Sequence, residues 1–144
     1  MPRHNARGEG VNVEGLAELR RALKQVSAEA PKELNAASKK VAEFVATDAR
    51  GAAEGLGGVA AHVAPSIGAV GNARGGGVSL GGASYPMAEG AEFGGQGRPT
   101  TQQFKPHLGR TGYFVYPTIR RDSERIESTF SELLGDLLRK YDLT

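Results

Sequence analysis

The chain has neither cysteine nor tryptophan among its 144 residues. Without cysteine it can form no disulfide bond, no thiolate zinc site and no cysteine nucleophile, which excludes several classes of secreted protein and enzyme. An excess of charge of one sign is also missing, because 18 lysines and arginines face 16 aspartates and glutamates for a formal net charge of +2. This balance by itself does not require a nucleic-acid partner.

Long apolar runs are lacking as well. The first ten residues are polar, so we expect no cleaved secretory signal. The longest stretch without a formal charge, residues 55–73, contains five glycines and Pro65 and is not typical of a membrane span. The sequence therefore predicts a protein that is synthesised in the cytoplasm and has no membrane partner.

The sequence also lacks the common motifs of catalysis and cofactor binding. His4, His62 and His107 do not have the spacing of metal ligands, and no serine lies in a G-x-S-x-G motif. The glycine-rich run 71–77 lacks the lysine of a phosphate-binding loop, and a turn is the better interpretation. We predict no catalytic residue, no cofactor and no metal ligand, and hence a protein that is not an enzyme.

One pair of carboxylates has an alternative interpretation. Glu89 and Glu92 are three residues apart and would share a face of a helix. Such a pair is common on solvated helix surfaces, and we favour that interpretation over general acid–base catalysis, which needs an environment that shifts the pKa values.

Glycine divides the chain into three zones, because 17 of the 21 glycines lie between Gly51 and Gly112. Charged helical flanks enclose this weakly charged middle. The sequence predicts an α+β fold in one domain, residues 13–144, with two N-terminal helices, a small glycine-rich antiparallel sheet, a long loop and a long C-terminal helix. A flexible basic arm, residues 1–12 with Arg3 and Arg7, precedes it.

Apolar residues at helical spacing define the flanks. The first predicted helix spans about 14–27, and the second spans about 31–50, with Pro31 in its first turn and an end at Gly51. The third spans about 117–141 and contains Gly135.

The middle zone predicts a sheet over about 59–82. Its two strands are Val59–Val70 and Val78–Leu80, joined by a turn over Asn72–Gly77. A short helix within 87–95 would end at Gly94 and Gly95, and a long loop follows over 96–112. Loops of this length in compact domains are usually disordered or used for contacts.

Several short elements occur in an order that points to a known family. Residues 13–24 read VEGLAELRRALK, an alanine-rich helix and an Ala-Pro pair follow, and EFGG occupies 92–95. FKP at 104–106 and GYFVYPTIR at 112–120 lead into the last helix. These passages resemble the "GL-x-EL-x-x-AL-K", "F-x-P" and "P-x-(L/I)-R" elements of small neck and minor tail proteins of long-tailed bacteriophages, the tail-completion or head–tail joining group.

The resemblance covers residues 13 to about 141 and implies a structural protein of the virion. Such a protein would form a homo-hexameric ring in the neck, between the head connector or stopper and the tail terminator or tube, with DNA as a further contact in its lumen. A tail terminator or a stopper ring of the same neck is the alternative within the family. Outside it, a small nucleic-acid-binding protein would use the basic arm and the cations of the loop.

Two sets of residues follow from these expectations. We place a structural corner at Glu92, Phe93, Gly94 and Gly95, where glycine permits the turn and the phenylalanine packs into the core. The candidate interface residues lie in or just after the loop and are Arg98, Phe104, Lys105, Tyr113, Phe114 and Tyr116. For Phe114 and Tyr116, burial in the subunit's own core is an equal alternative.

Overall fold

The fold is built on one long helix, against which a small sheet and the C-terminal helices pack. A computed structural model describes residues 4–5, 16–72, 75–95, 104–105, 108 and 111–143. The helices are α1 (Leu16–Val26), α2 (Ala30–Leu56), α3 (Gly58–Val63), α4 (Ala88–Phe93), α5 (Val115–Arg121) and α6 (Ser123–Lys140). The strands are β1 (His4–Asn5), β2 (Gly68–Asn72) and β3 (Gly75–Leu80), so the predicted α+β class is confirmed.

Helix α2 is longer than the sequence predicted. It passes through Gly51 and ends at Leu56, where Gly57 has a φ of +68°. Ala49 and Ala53 continue its buried stripe on either side of Gly51. Their packing outweighs the cost of about 1 kcal/mol that one glycine adds to a helix interior.

The sheet is antiparallel, in the order β1-β3-β2. Strand β2 pairs with β3 from Gly68 opposite Ser79 to Asn72 opposite Gly75, so the turn is shorter than predicted and Gly75–Gly77 belong to a strand. Two residues of the predicted arm, His4 and Asn5, pair with the other edge of β3. Arg3 and Arg7 lie outside the described residues.

The prediction of a strand beginning at Val59 was wrong. Residues 58–66 form α3 and a 3₁₀-helical turn instead, and only 68–72 are extended. Ala60, Val63 and Ala64 are buried at helical rather than alternating spacing. Gly57 and Gly58 both have positive φ, and they separate this helix from α2.

Glycines let the sheet lie directly on the backbone of α2. A β-carbon on Gly71 would lie 2.6 Å from Cβ of Lys39 and 2.9 Å from the carbonyl oxygen of Asn35. A β-carbon on Gly76 would overlap the carbonyl oxygen of Ser38. The glycine-rich composition of these strands is therefore a packing requirement rather than a loop signature.

The C-terminal helix is two helices, which corrects the single helix predicted over 117–141. The break falls at Asp122, which is 8% exposed. Burial raises the pKa of the Asp122 carboxyl, Asp48 of α2 raises it further through a hydrogen bond and its charge, and Arg121 opposes both. This helical region also begins two residues earlier than predicted, because α5 starts at Val115.

Two clusters of buried side chains fill the interior. The first joins α2, α3, the sheet, α4 and α5, and the second joins α1, α2 and α6. Phe44 and Ile126 pack against both clusters, so the core is continuous along α2. Among the described helices, none combines the length and the apolar composition that crossing a bilayer requires.

Substituting Gly76→Ala tests the contact between sheet and helix. The added methyl group would meet the main chain of α2, which cannot rotate away, so we expect the free energy of unfolding to fall by about 1–3 kcal/mol. Gly51→Ala is the matched control, because open space surrounds that position within α2 and alanine should stabilise the helix by roughly 0.5–1 kcal/mol. Urea unfolding followed by circular dichroism measures both. Equal effects of the two substitutions would contradict the packing argument.

Candidate functional site

The candidate site is the base of the 96–112 segment, where α4 meets the start of α5. Backbone hydrogen bonds tie the described parts of the segment to the end of α4. The N–H of Gly95 donates to the carbonyl of Lys105 at 2.8 Å, and the N–H of Leu108 donates to the carbonyl of Phe93 at 2.8 Å. The N–H of Tyr113 donates to the carbonyl of Glu92 at 2.8 Å. These bonds fix where the segment leaves and rejoins the domain.

The side chain of Glu92 completes this base from inside. It is fully buried, and its Oε1 accepts the N–H groups of Tyr113 at 2.6 Å and Phe114 at 2.8 Å. Its Oε2 accepts the N–H of Tyr116 at 3.0 Å. The first N–H groups of a helix have no partner within the helix and carry partial positive charge. The carboxylate from α4 therefore caps the N-terminus of α5.

Glycines on both sides of Glu92 make this approach possible. Gly94 has a φ of +86° and turns the chain after α4. Gly112 has a φ of +71°, and a β-carbon there would lie 2.9 Å from Oε1 of Glu92. The corner predicted at Glu92–Gly95 thus has the turn expected of its glycine, and it pairs with a second glycine that the sequence analysis did not single out.

Burial and hydrogen bonding act in opposite directions on Glu92. Burial raises the pKa of its carboxyl above the ordinary value of 4.5, and it is the larger effect. The backbone N–H groups of Phe114, Tyr116, Tyr113 and Val115 favour the ionised form and partly offset the rise.

The structure separates the six candidate interface residues. Phe114 and Tyr116 are 0% and 5% exposed and belong to the first core cluster, which favours the alternative that these two side chains are part of the subunit's own core. The ring of Phe93 is half-buried, with its centroid 5.6 Å from that of Tyr116. Phe93 thus packs on the core, as expected for the corner.

The remaining candidates lie nearer the surface. Lys105 is exposed, and its Nζ lies 5.5 Å from the centroid of the half-buried Tyr113 ring. Phe104 is half-buried against Gly90, where a β-carbon would lie 2.6 Å from its ring. Arg98, like most of the predicted loop, lies outside the described residues.

The burial of Glu92 could not be read from the sequence. Glu92 was grouped with Glu89 as a solvated pair, yet Glu89 is exposed whereas Glu92 is wholly buried. The available signal was the position of Glu92 between Ala91 and Phe93, both of which pack inward.

Within the described ranges, no three histidine, aspartate or glutamate side chains are grouped as metal ligands.

Comparison of the chain with family models, with curated proteins and with solved structures finds no match.

Substituting Glu92→Gln tests the cap. The amide keeps the shape of the side chain but turns an NH₂ group toward N–H donors, so at least one buried donor loses its acceptor. We expect the free energy of unfolding to fall by about 1–3 kcal/mol. Glu127→Gln, at an exposed position of α6, should change it by less than about 0.5 kcal/mol. Similar losses for both variants, measured by urea unfolding, would show that the cap contributes nothing.

The raised pKa of Glu92 also predicts a pH dependence. Because the folded protein holds this proton more tightly than the unfolded chain, stability from this group is complete below pH 4.5 and is lost as the pH rises through the folded-state pKa. The free energy of unfolding of the wild type should therefore fall relative to that of Glu92→Gln as the pH is raised from 4 towards neutrality. Asp122 titrates in both proteins, so the difference isolates Glu92. If the stability of the wild type instead rose relative to that of Glu92→Gln as the pH increased, the raised pKa of Glu92 would be contradicted.

Proposed function

We propose that this chain is a structural subunit of a homo-hexameric ring in the neck of a long-tailed bacteriophage, where it joins the head connector to the tail tube. The observation that carries the proposal is the way in which the domain holds the 96–112 segment. Its base is fixed by three backbone hydrogen bonds and by a buried carboxylate, and its position in the chain follows the EFGG element that resembles the family.

The chemistry of the segment suits contacts with other macromolecules. It contains three cations, Arg98, Lys105 and Arg110, and no acidic residue in 17 positions. Its described residues include the exposed Lys105 and Leu108, and the latter is a large apolar side chain with 42% exposure. A cationic and partly apolar segment on a rigid base supports a docking role.

The long α2 helix supports the same proposal. Its 27 residues span about 40 Å, and both core clusters pack along it. A subunit with a rigid axis of this length can present different surfaces to the two neighbours in a ring. Such heterologous contacts close into a ring when the rotation between subunits is an exact fraction of a turn.

A tail terminator or a stopper ring of the same neck would use the same features. A small nucleic-acid-binding protein is the second candidate, and the absence of acidic residues from the 96–112 segment is the observation that favours it. In that case the segment would contact phosphates, and the affinity would fall steeply with added salt.

The location of the chain in phage particles tests the proposal. A gold-binding tag at the C-terminus, in particles assembled with the tagged chain, should label the junction between head and tail, and a particle map should show a closed ring there. Particles made without the chain should have heads and tails that remain unjoined. Absence of the chain from purified particles would overturn the proposal. Tight, salt-sensitive DNA binding by a chain absent from particles would favour the second candidate.

A further inference from the structure

A groove runs between α2 and α6 on the outside of the domain. Its volume is about 680 Å³, and Phe44 of α2 and Leu133 of α6 line it together with charged side chains. Both apolar residues are half-buried and pack against the second core cluster. The guanidinium of Arg125, which pairs with Asp48, lies 4.2 Å from the centroid of the Phe44 ring and covers part of it. The floor therefore has an apolar centre.

The charges around this floor are unequal. Glu43, Glu132 and Asp136 supply three negative charges, and Lys40 and Arg139 supply two positive ones, for a net charge of −1. Asp136 and Arg139 pair with each other at 2.5 Å. Among the lining side chains this pairing leaves two exposed glutamates and one lysine, and the charge of Arg125 beside Phe44 is balanced by Asp48.

We propose that this groove binds the 96–112 segment of a second copy of the chain. The segment carries three cations and no acid, which complements the excess of carboxylates in the groove. Leu108 of the segment is 42% exposed and matches the apolar floor formed by Phe44 and Leu133. The partner is thus identified by both charge and apolar character.

The described residues of the segment lie away from the groove of their own chain. The N–H of Leu108 is bonded to the carbonyl of Phe93, beside α4, and none of the described residues of the segment lines the groove. The two complementary surfaces are different patches of one molecule, so their contact is heterologous and propagates from copy to copy. The inference rests on the proposed function for its premise that the copies close into a ring, but the contact itself can be tested without phage particles.

Disulfide trapping tests the contact, and the absence of native cysteine makes it specific. One chain carries Gln103→Cys in the segment, and a second carries Thr47→Cys at an exposed position lining the groove, so that every charge is kept. Mild oxidation of the mixture should give a cross-linked heterodimer. A single chain with both substitutions should give a ladder of oligomers that ends in a closed ring.

Ser128→Cys is the matched control, because this serine is exposed on α6 but does not line the groove. Its mixture with Gln103→Cys should give only background cross-linking. Reversing the two groove glutamates in the Thr47→Cys chain, by Glu43→Lys and Glu132→Lys, should lower the yield of heterodimer about tenfold. Reversing Glu124 and Glu127, which lie outside the groove on α6, should not lower it.

Equal cross-linking at Thr47→Cys and Ser128→Cys would overturn the inference, as would a yield that the groove reversals leave unchanged. If the chain is nevertheless found at the head–tail junction, the proposed function stands and only the groove contact fails. If Lys105→Glu abolishes salt-sensitive DNA binding and no trapping occurs, the segment contacts nucleic acid instead, and the groove contact is wrong.

Discussion

A buried carboxylate that caps the start of a helix is the interaction on which the candidate site depends. Glu92 reaches from α4 to the N–H groups of Tyr113, Phe114 and Tyr116, and so joins the two ends of the 96–112 segment through the interior. A buried charge is tolerated only when hydrogen bonds replace its water. The cap therefore requires that the backbone at Gly112 approach the carboxylate closely, which a side chain at this position would prevent. Because the buried carboxylate needs these N–H donors, it holds the start of α5 in place and so gives the segment a fixed base.

The rest of the fold supports this base by bringing main chains close together. Glycines at 71 and 76 allow the sheet to touch α2, and alanines at 49 and 53 allow α2 to pack against α5 and its neighbours. Such contacts leave little room to adjust, because interiors are packed as densely as crystals. Rigidity of this kind suits the proposed contact between copies, because the base of the segment and the groove between α2 and α6 would both keep their shape.

The sequence was sufficient for the fold class and for the helices with a clear apolar stripe, such as α1. It failed where tertiary packing overrides local signals: Gly51 does not end α2, and residues 58–66 are helical although their valines favour strands. It placed a corner at Glu92–Gly95 but missed the burial of Glu92, because the donors that satisfy it lie more than 20 residues away. The groove was also missed, since it depends on how α2 and α6 pack.

Amide hydrogen exchange, followed by NMR, tests the cap most directly. If Glu92 holds the start of α5, the N–H groups of Tyr113, Phe114 and Tyr116 should exchange as slowly as those of the core of α2, through global unfolding alone. In Glu92→Gln they should exchange through local opening, faster than the core of the same variant. Two results would contradict the account. One is exchange of these amides in the wild type as fast as that of unprotected loop amides, and the other is the same protection, relative to the core of α2, in the wild type and in Glu92→Gln.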